Sequence, residues 1–251
     1  MQRQRNGHSQ LLWRCTRCRD QISLCKGTIF HYSHLTLGQT LMVMMCFAQG
    51  LGIGDAIRSL RWSSDSPTVS AVTIVRYYTI LREYVKSYMA NAGPIGGPGQ
   101  IVQIDEALIG RRKYHRGRVV QGTWVLGMIS SDGHVRFEVV KDRKRDTLEG
   151  VIVRNVICGS TIHTDEWRSY NRLRQLGYAH ATVNHSQRFV SPGGVHTQAI
   201  ESQWRHIRRR FSKGGVPHAC IESYLAEYVW RRACRRSRTD LFASLISIIK
   251  L

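Results

Sequence analysis

Hydrophobic positions along this chain change their spacing near residue 100. Before it they recur at helical intervals: Leu41, Met44, Met45 and Ala48 fall on one face of a helix. Gly52-Ile53-Gly54 interrupts that pattern. Residues 55–62 read as a short helix with Asp55 in its first turn, where a carboxylate suits the positive end of the helix dipole. Ser63 to Ser66 forms a turn, Ser66 suits an N-cap, and Pro67 suits the first position of a helix. That helix is expected to run to Met89, with Tyr77, Leu81, Tyr84 and Tyr88 on one face. Residues 93–100, rich in Gly and Pro, read as a linker.

Beyond it the pattern becomes that of strands. Ile101 to Glu106 is the first, Gly122 to Ile129 the second and Val135 to Val140 the third, with Ser131-Asp132-Gly133 as a hairpin turn. Asp146 to Val156 has helical periodicity, Ser160 to Asp165 is a fourth strand, and Trp167 to Leu176 reads as a helix. Ala181 to Val183 is a short strand and Thr197 to Phe211 a helix, with Ile200, Trp204, Ile207 and Phe211 on its buried face. A last helical region covers about Ile221 to Ile249. The order β-β-β-α-β-α-β-α predicts an α/β, RNase H-like (retroviral-integrase-like) core over residues 101–216. Residues 34–92 would form a helical, helix-turn-helix-like region, and residues 217–251 a C-terminal helical region.

Three carboxylates stand at notable places in that order. Asp105 lies near the end of the first strand, Asp165 ends the fourth, and Glu201 sits in the first turns of the helix after the fifth. In an RNase H-like sheet the first and fourth strands are neighbours, so the two aspartates would lie side by side and the glutamate would reach them from the packed helix.

Charge sharpens the reading. The 251 residues carry 37 Lys plus Arg against 17 Asp plus Glu, a net charge of +20. Such a balance favours a polyanionic partner, with nucleic acid foremost. Basic groups recur at Arg111–Lys113, Lys141–Arg145, Arg205–Arg210 and Arg231–Arg236. Phosphate contacts from them would make binding strongly salt-dependent. No run approaches the about 18 apolar residues of a membrane span, and the N-terminus lacks the apolar core of a secretory signal. Acids isolated in a basic chain suit metal-assisted cleavage of a phosphodiester. Two Mg²⁺ (or Mn²⁺) ions can stabilise the attacking and leaving oxygens, and Mg²⁺ takes carboxylate oxygens and water. Asp105 would bridge both ions, Asp165 would hold one and Glu201 the other.

The segments that carry these acids also carry a resemblance. Ile104-Asp105-Glu106-Ala107-Leu108-Ile109-Gly110, His163-Thr164-Asp165-Glu166-Trp167-Arg168-Ser169-Tyr170, Val183-Asn184-His185-Ser186 through Phe189, and Gly194 through Trp204 resemble DDE transposases of the Merlin superfamily. The resemblance covers roughly residues 13–234. It implies cut-and-paste transposition: binding of terminal inverted repeats in double-stranded DNA, cleavage at the element ends, and attack of the freed 3′-hydroxyl on target DNA. It implies a homodimer or larger assembly that pairs two ends, and a nuclear location in a eukaryotic host (cytoplasm or nucleoid otherwise). Where bacterial relatives often carry Asn and Lys, this chain has Gln198 and Arg208 to Arg210.

Other residues take candidate roles around this centre. His185 and His196 lie inside the family-like segments and could orient water or the scissile phosphate. Thr68, Ser70, Thr73 and Arg76 would face DNA from the helix-turn-helix region, and Arg205, Arg208 and Arg209 from the helix of Glu201. Residues 1–33 resemble part of a zinc ribbon. Cys15, Cys18 and Cys25 would be zinc ligands, and a closed site needs a fourth. A histidine such as His8 or His31, or a segment upstream of this chain, could supply it; free thiols without zinc are the alternative. Two further readings of the chain stay open: a catalytically inactive DNA-binding descendant of a transposase, and a metal-dependent nuclease of the same fold that cuts without joining.

Overall fold

A computed structural model describes residues 3–5, 11–23, 26–30, 35–61, 69–110, 122–183, 195–211 and 216–249. The chain divides into two compact units, residues 1–88 with 234–251, and residues 89–233.

In the first unit, β1 (Arg3–Arg5), β2 (Leu11–Arg14) and β3 (Gln21–Ser23) form an antiparallel three-stranded sheet. Helix α1 (Leu37–Gln49) begins at a capping box, in which Thr36 and Gln39 bond each other's backbone, and ends at Gly50 with φ of 76°. Helix α2 (Ile53–Leu60) follows, then α3 (Ala71–Ala90). The expected cap at Ser66 and Pro67 lies outside the described residues. The described start of α3 is set instead by Ser70, whose Oγ accepts the Thr73 N–H at 3.2 Å. Its buried face is Ile74, Tyr77, Tyr78, Leu81 and Val85. Tyr77 and Leu81 lie on it as the spacing suggested, but Tyr88 is 54 % exposed, and the stripe continues through Tyr78 and Val85 instead of Tyr84 and Tyr88. The Phe47 and Tyr78 rings meet edge to face, and the Tyr78 hydroxyl donates to the Leu51 carbonyl at 3.1 Å.

The second unit begins at Met89 and includes the stretch read as a linker. Ile95–Gly96 forms β4, which pairs in parallel with β8 (Val156–Ile157), and Ile95 is buried in the core. Gly96 (φ 86°) is needed there, because a Cβ would stand 2.5 Å from Ser160 Oγ and 2.7 Å from Val102. The Gly and Pro residues thus shape a tight entry to the sheet.

The main sheet holds β5 (Ile101–Ile109), β6 (Thr123–Ser130), β7 (Val135–Val140), β9 (Thr161–Asp165) and β10 (Ala179–Val183) in the order β10-β9-β5-β6-β7. The first three form an antiparallel meander, and β9 and β10 add in parallel. Strand β5 outruns its predicted end because it stays paired with β6 as far as Ile109 opposite Thr123. Its pairing with β9 covers only Ile101 to Gln103.

Alternation of side chains divides the core between the two faces. Val102, Ile104, Leu126 and Met128 pack with Leu148, Val151 and Ile152 of α4 (Arg145–Asn155). Ala107, Ile109, Val125 and Ile129 pack with Ile200, Trp204, Ile207 and Phe211 of α5 (Gln198–Phe211). The sheet is a middle layer between helices, a mixed α/β architecture.

Two predicted helices differ from the structure. Residues 168–176 form two short 3-10 turns, Arg168–Tyr170 and Leu173–Leu176, in place of a helix from Trp167. Side-chain anchors hold this stretch against its surroundings: Ser169 Oγ donates to the Arg143 carbonyl at 3.0 Å, and Arg172 Nη2 to Glu149 Oε2 at 2.6 Å. The C-terminal region is two helices, α6 (Ile221–Ser237) and α7 (Leu241–Ile249). They separate where Arg238 takes φ of 55° and Asp240 accepts the Ala243 N–H at 2.8 Å as a new cap. Helix α7 packs on α1 in the first unit.

Candidate active site at the carboxyl end of the sheet

Asp105 is on the α5 face of β5, in register with Gly127 of β6. Both neighbours are consequential. A Cβ at Gly127 would stand 2.5 Å from the Trp204 ring, so glycine leaves the room that the indole fills. The indole Nε1–H then donates to Asp105 Oδ2 at 2.9 Å. Trp204, expected only to fill the helix–sheet contact, also fixes a carboxylate. Burial raises the Asp105 carboxyl to about 6; the Trp204 hydrogen bond opposes this, and the negative charges of Asp165 and Glu201 add to it.

Asp165 ends β9, next to β5 in the sheet. Its Oδ1 accepts the Trp167 N–H at 3.1 Å, which turns the chain sharply after the strand. Carboxylate oxygens of Asp105, Glu106 and Asp165 all lie within 4.8 Å of one another. Glu106 belongs to the opposite face of the sheet, and the sequence reading gave it no role. Its side chain is 1 % exposed, its Oε1 has no hydrogen-bond partner, and burial raises its carboxyl pKa. Tyr170 is buried beside it and the two are electrostatically coupled. Nothing in strand alternation would have drawn Glu106 toward Asp165; the two meet because β5 has left β9 by this point.

Glu201 lies in the first turn of α5, and its Oε1 accepts from Thr197 Oγ1 at 2.8 Å. It is outside the group of three oxygens, yet near enough for its charge to raise the Asp105 pKa. The placement of α5 depends on a residue that the pattern of the chain did not single out. Gln103, buried on β5, accepts the backbone N–H groups of Ala199 at 2.9 Å and Ile200 at 3.3 Å through Oε1. A strand side chain thereby caps the helix that carries Glu201, two residues along from Asp105. Those two bonds orient the amide, so Gln103 Nε2 donates to His196 Nδ1 at 3.2 Å. A neutral His196 therefore carries its proton on Nε2. His163 is buried close by with Nδ1 unpartnered, and burial lowers its pKa.

The remaining candidates divide. Ser70 and Arg76 are exposed and Thr73 partly so on α3, while Thr68 lies outside the described residues. Arg205, Arg208 and Arg209 are exposed on α5. Arg231, in the last basic group, is 4 % exposed; its Nε donates to the buried Glu227 at 2.7 Å and Arg210 pairs with the same carboxylate, which removes Arg231 from the DNA-facing set. Cys15 and Cys18 are exposed around the turn between β2 and β3, and backbone N–H groups of Cys18 and Arg17 lower the Cys15 thiol pKa. Cys25, His8, His31, His185 and the basic group Arg111–Lys113 lie outside the described residues. Among the described residues no helix is long and apolar enough to cross a membrane.

The fold is thus a mixed sheet between helices, with acids from β5 and the end of β9 drawn together. Residues 96–233 match the ISXO2-like transposase domain, and the chain belongs to that family. It is also 33 % identical over 94 residues to an uncharacterized transposase-like protein of Haemophilus influenzae, a span of 37 % of this chain and 76 % of that protein.

Proposed function

We propose that the chain is a DDE-type DNA transposase with an RNase H-like core, of the Merlin kind, that cuts DNA at element ends and joins them to a target. The observation that carries this reading is the approach of Asp105 and Asp165, 60 residues apart in the chain and carried on neighbouring strands, under the charge of Glu201. The sheet order supports the RNase H-like assignment, because the first and fourth strands of the domain, β5 and β9, are neighbours.

The donor set fits divalent metal. All the groups are hard oxygens, burial holds Asp105 near 6 with a smaller contribution from the charges of Asp165 and Glu201, and the buried Glu106 Oε1 is unpartnered. Asp105, Asp165 and Glu201 would hold Mg²⁺ or Mn²⁺. Bound there, the metal would neutralise charge on the reacting phosphate and lower the pKa of water. The chain's own residues do the rest. Trp204 fixes the Asp105 carboxylate. Gln103 sets the helix of Glu201 and the tautomer of His196, whose Nε2–H can donate to a phosphate oxygen or a water. The exposed Arg205, Arg208 and Arg209 on α5 supply phosphate contacts, as do Ser70, Thr73 and Arg76 in the first unit, with Thr68 beside them in sequence. Cys15, Cys18 and Cys25 would be zinc ligands, and pairing of two ends calls for at least a dimer.

The test is incubation with duplex DNA carrying the element's end, in Mg²⁺ or Mn²⁺, beside Asp165→Asn. Metal-dependent nicking at the end, lost in the variant and followed by strand transfer, is the expected result. Cutting without joining would favour the nuclease, and selective binding without cleavage the inert descendant.

A further inference from the structure

Arg143 differs from the other arginines around the site. Its guanidinium carbon lies 4.7 Å from the ring centroid of Trp124 and 4.4 Å from that of Trp167, so two indoles hold it. Its Nη2 is 3.5 Å from Glu106 Oε2, beyond hydrogen-bond length, and its Nε is buried without a partner. Among the described residues no guanidinium N–H makes a hydrogen bond, although the side chain is 28 % exposed. Its backbone is fixed as well, through Ser169 Oγ on its carbonyl. Trp167, in turn, is held by Asp165.

The cation is therefore rigid, beside the carboxylates, and left with donors to spare. A structural staple would be expected to satisfy those donors within the fold. Glu106 neutralises part of the charge at a distance but accepts no hydrogen bond from the guanidinium. What the exposed edge lacks is an anion with several oxygens arranged for a planar fork.

We propose that Arg143, held between Trp124 and Trp167, binds a backbone phosphate of the DNA strand that enters the carboxylate site. The proposal rests on the reading of the chain as an enzyme acting on DNA. The stack sets the guanidinium plane before DNA arrives, so the anchored phosphate fixes the distance of its neighbours from Asp105 and Asp165. This gives one member of the Lys141–Arg145 group a defined register, where its solvated neighbours supply only general attraction.

The experiment is a neutral-phosphate scan. Duplexes carrying the element's end are made with a single methylphosphonate at each position flanking the cleavage junction. Their binding to the full chain is measured in Ca²⁺ for wild type, Arg143→Gln and Arg143→Lys, with melting temperatures recorded for all three. In wild type, one phosphate or two adjacent ones are expected to weaken binding about tenfold to a hundredfold when neutralised, the range of a charge-assisted hydrogen bond. Arg143→Gln should bind the unmodified duplex more weakly by the same factor and lose nothing further at that position. Arg143→Lys keeps a cation between the indoles without the fork, and should show a smaller penalty at the same phosphate. Equal sensitivity at every position in wild type and Arg143→Gln would overturn the proposal. So would a full wild-type penalty in Arg143→Lys, which decides the matter if Arg143→Gln does not fold. Failure of wild type to bind any duplex would overturn the DNA reading itself, and this proposal with it.

Discussion

Asp105→Asn offers a measurement that reaches the site without substrate. Burial lifts the Asp105 carboxyl from 3.8 to about 6 in the folded chain. At about 1.4 kcal/mol per tenfold change in proton affinity, that difference amounts to about 3 kcal/mol, an upper limit for a carboxylate that is only half-buried. The sign follows from which state holds the proton more tightly. The folded chain does, so the contribution of Asp105 to stability is complete below pH 3.8 and is lost as pH rises through 6. Other groups move differently. His163 and His180 have lowered pKa values, so their contributions are lost as pH falls. Asp132, lowered to about 2, varies little above pH 4. The variant shares all three, so the difference between the proteins reports Asp105 together with its smaller effect on Glu106, whose pKa the Asp105 charge also raises. Urea unfolding in EDTA, followed by tryptophan fluorescence from pH 4 to 7, should show wild type losing up to about 3 kcal/mol relative to Asp105→Asn, mostly between pH 4 and 6. Added Mg²⁺ should return stability to wild type above pH 6 and not to the variant, since a cation that binds only the folded, ionised site stabilises it by mass action. A flat difference across this range, or one that favours wild type as pH rises, would refute the account of a buried carboxylate strained by its neighbours.

Two further substitutions probe how the site is held. Gly127→Ala would place a Cβ 2.5 Å from the Trp204 ring and 2.9 Å from Ile200, so α5 must move; thermal melting should show a loss of about 1–3 kcal/mol, the range for overpacked cores, and an unchanged midpoint would mean the helix gives way freely. Gln103→Leu removes the acceptor for Ala199 and Ile200 and the donor to His196. It should cost about 1–3 kcal/mol for the N–H groups left unpaired and raise the Mg²⁺ concentration needed for half-maximal nicking, whereas equal Mg²⁺ dependence would show that Glu201 does not depend on this cap.

How far the sequence could be read depended on how local the cause was. The meander, β9 and α5 are legible because alternation and helical spacing record which face each residue buries, and the structure returns them within a few residues. Residues 168–176 look helical by composition, but Asp165 turns the chain before them, and Ser169 and Arg172 hydrogen-bond to residues that are near only in space. The Gly-Pro stretch reads as a linker because flexibility and tight packing ask for the same residues; the pairing of Ile95 with Val156 shows that part of it is also strand.

The site follows the same rule. Asp105 and Asp165 are legible as a pair because the order of elements puts their strands side by side, and Glu201 because it opens the helix packed on them. Gln103, Trp204, Gly127 and Glu106 are not, because their parts are set by pairs across the sheet: Gln103 against the first turn of α5, Gly127 opposite Asp105, Trp204 in the space that Gly127 leaves. These residues explain why the carboxylates stay in place. Three acids at the end of a sheet repel one another, and burial makes the repulsion worse. A hydrogen bond to Asp105, a cap beneath Glu201 and a turn at Asp165 hold them against that repulsion, each from a different element. A site built this way is poised for a cation, because the supporting bonds fix the oxygens while leaving their charge largely unanswered.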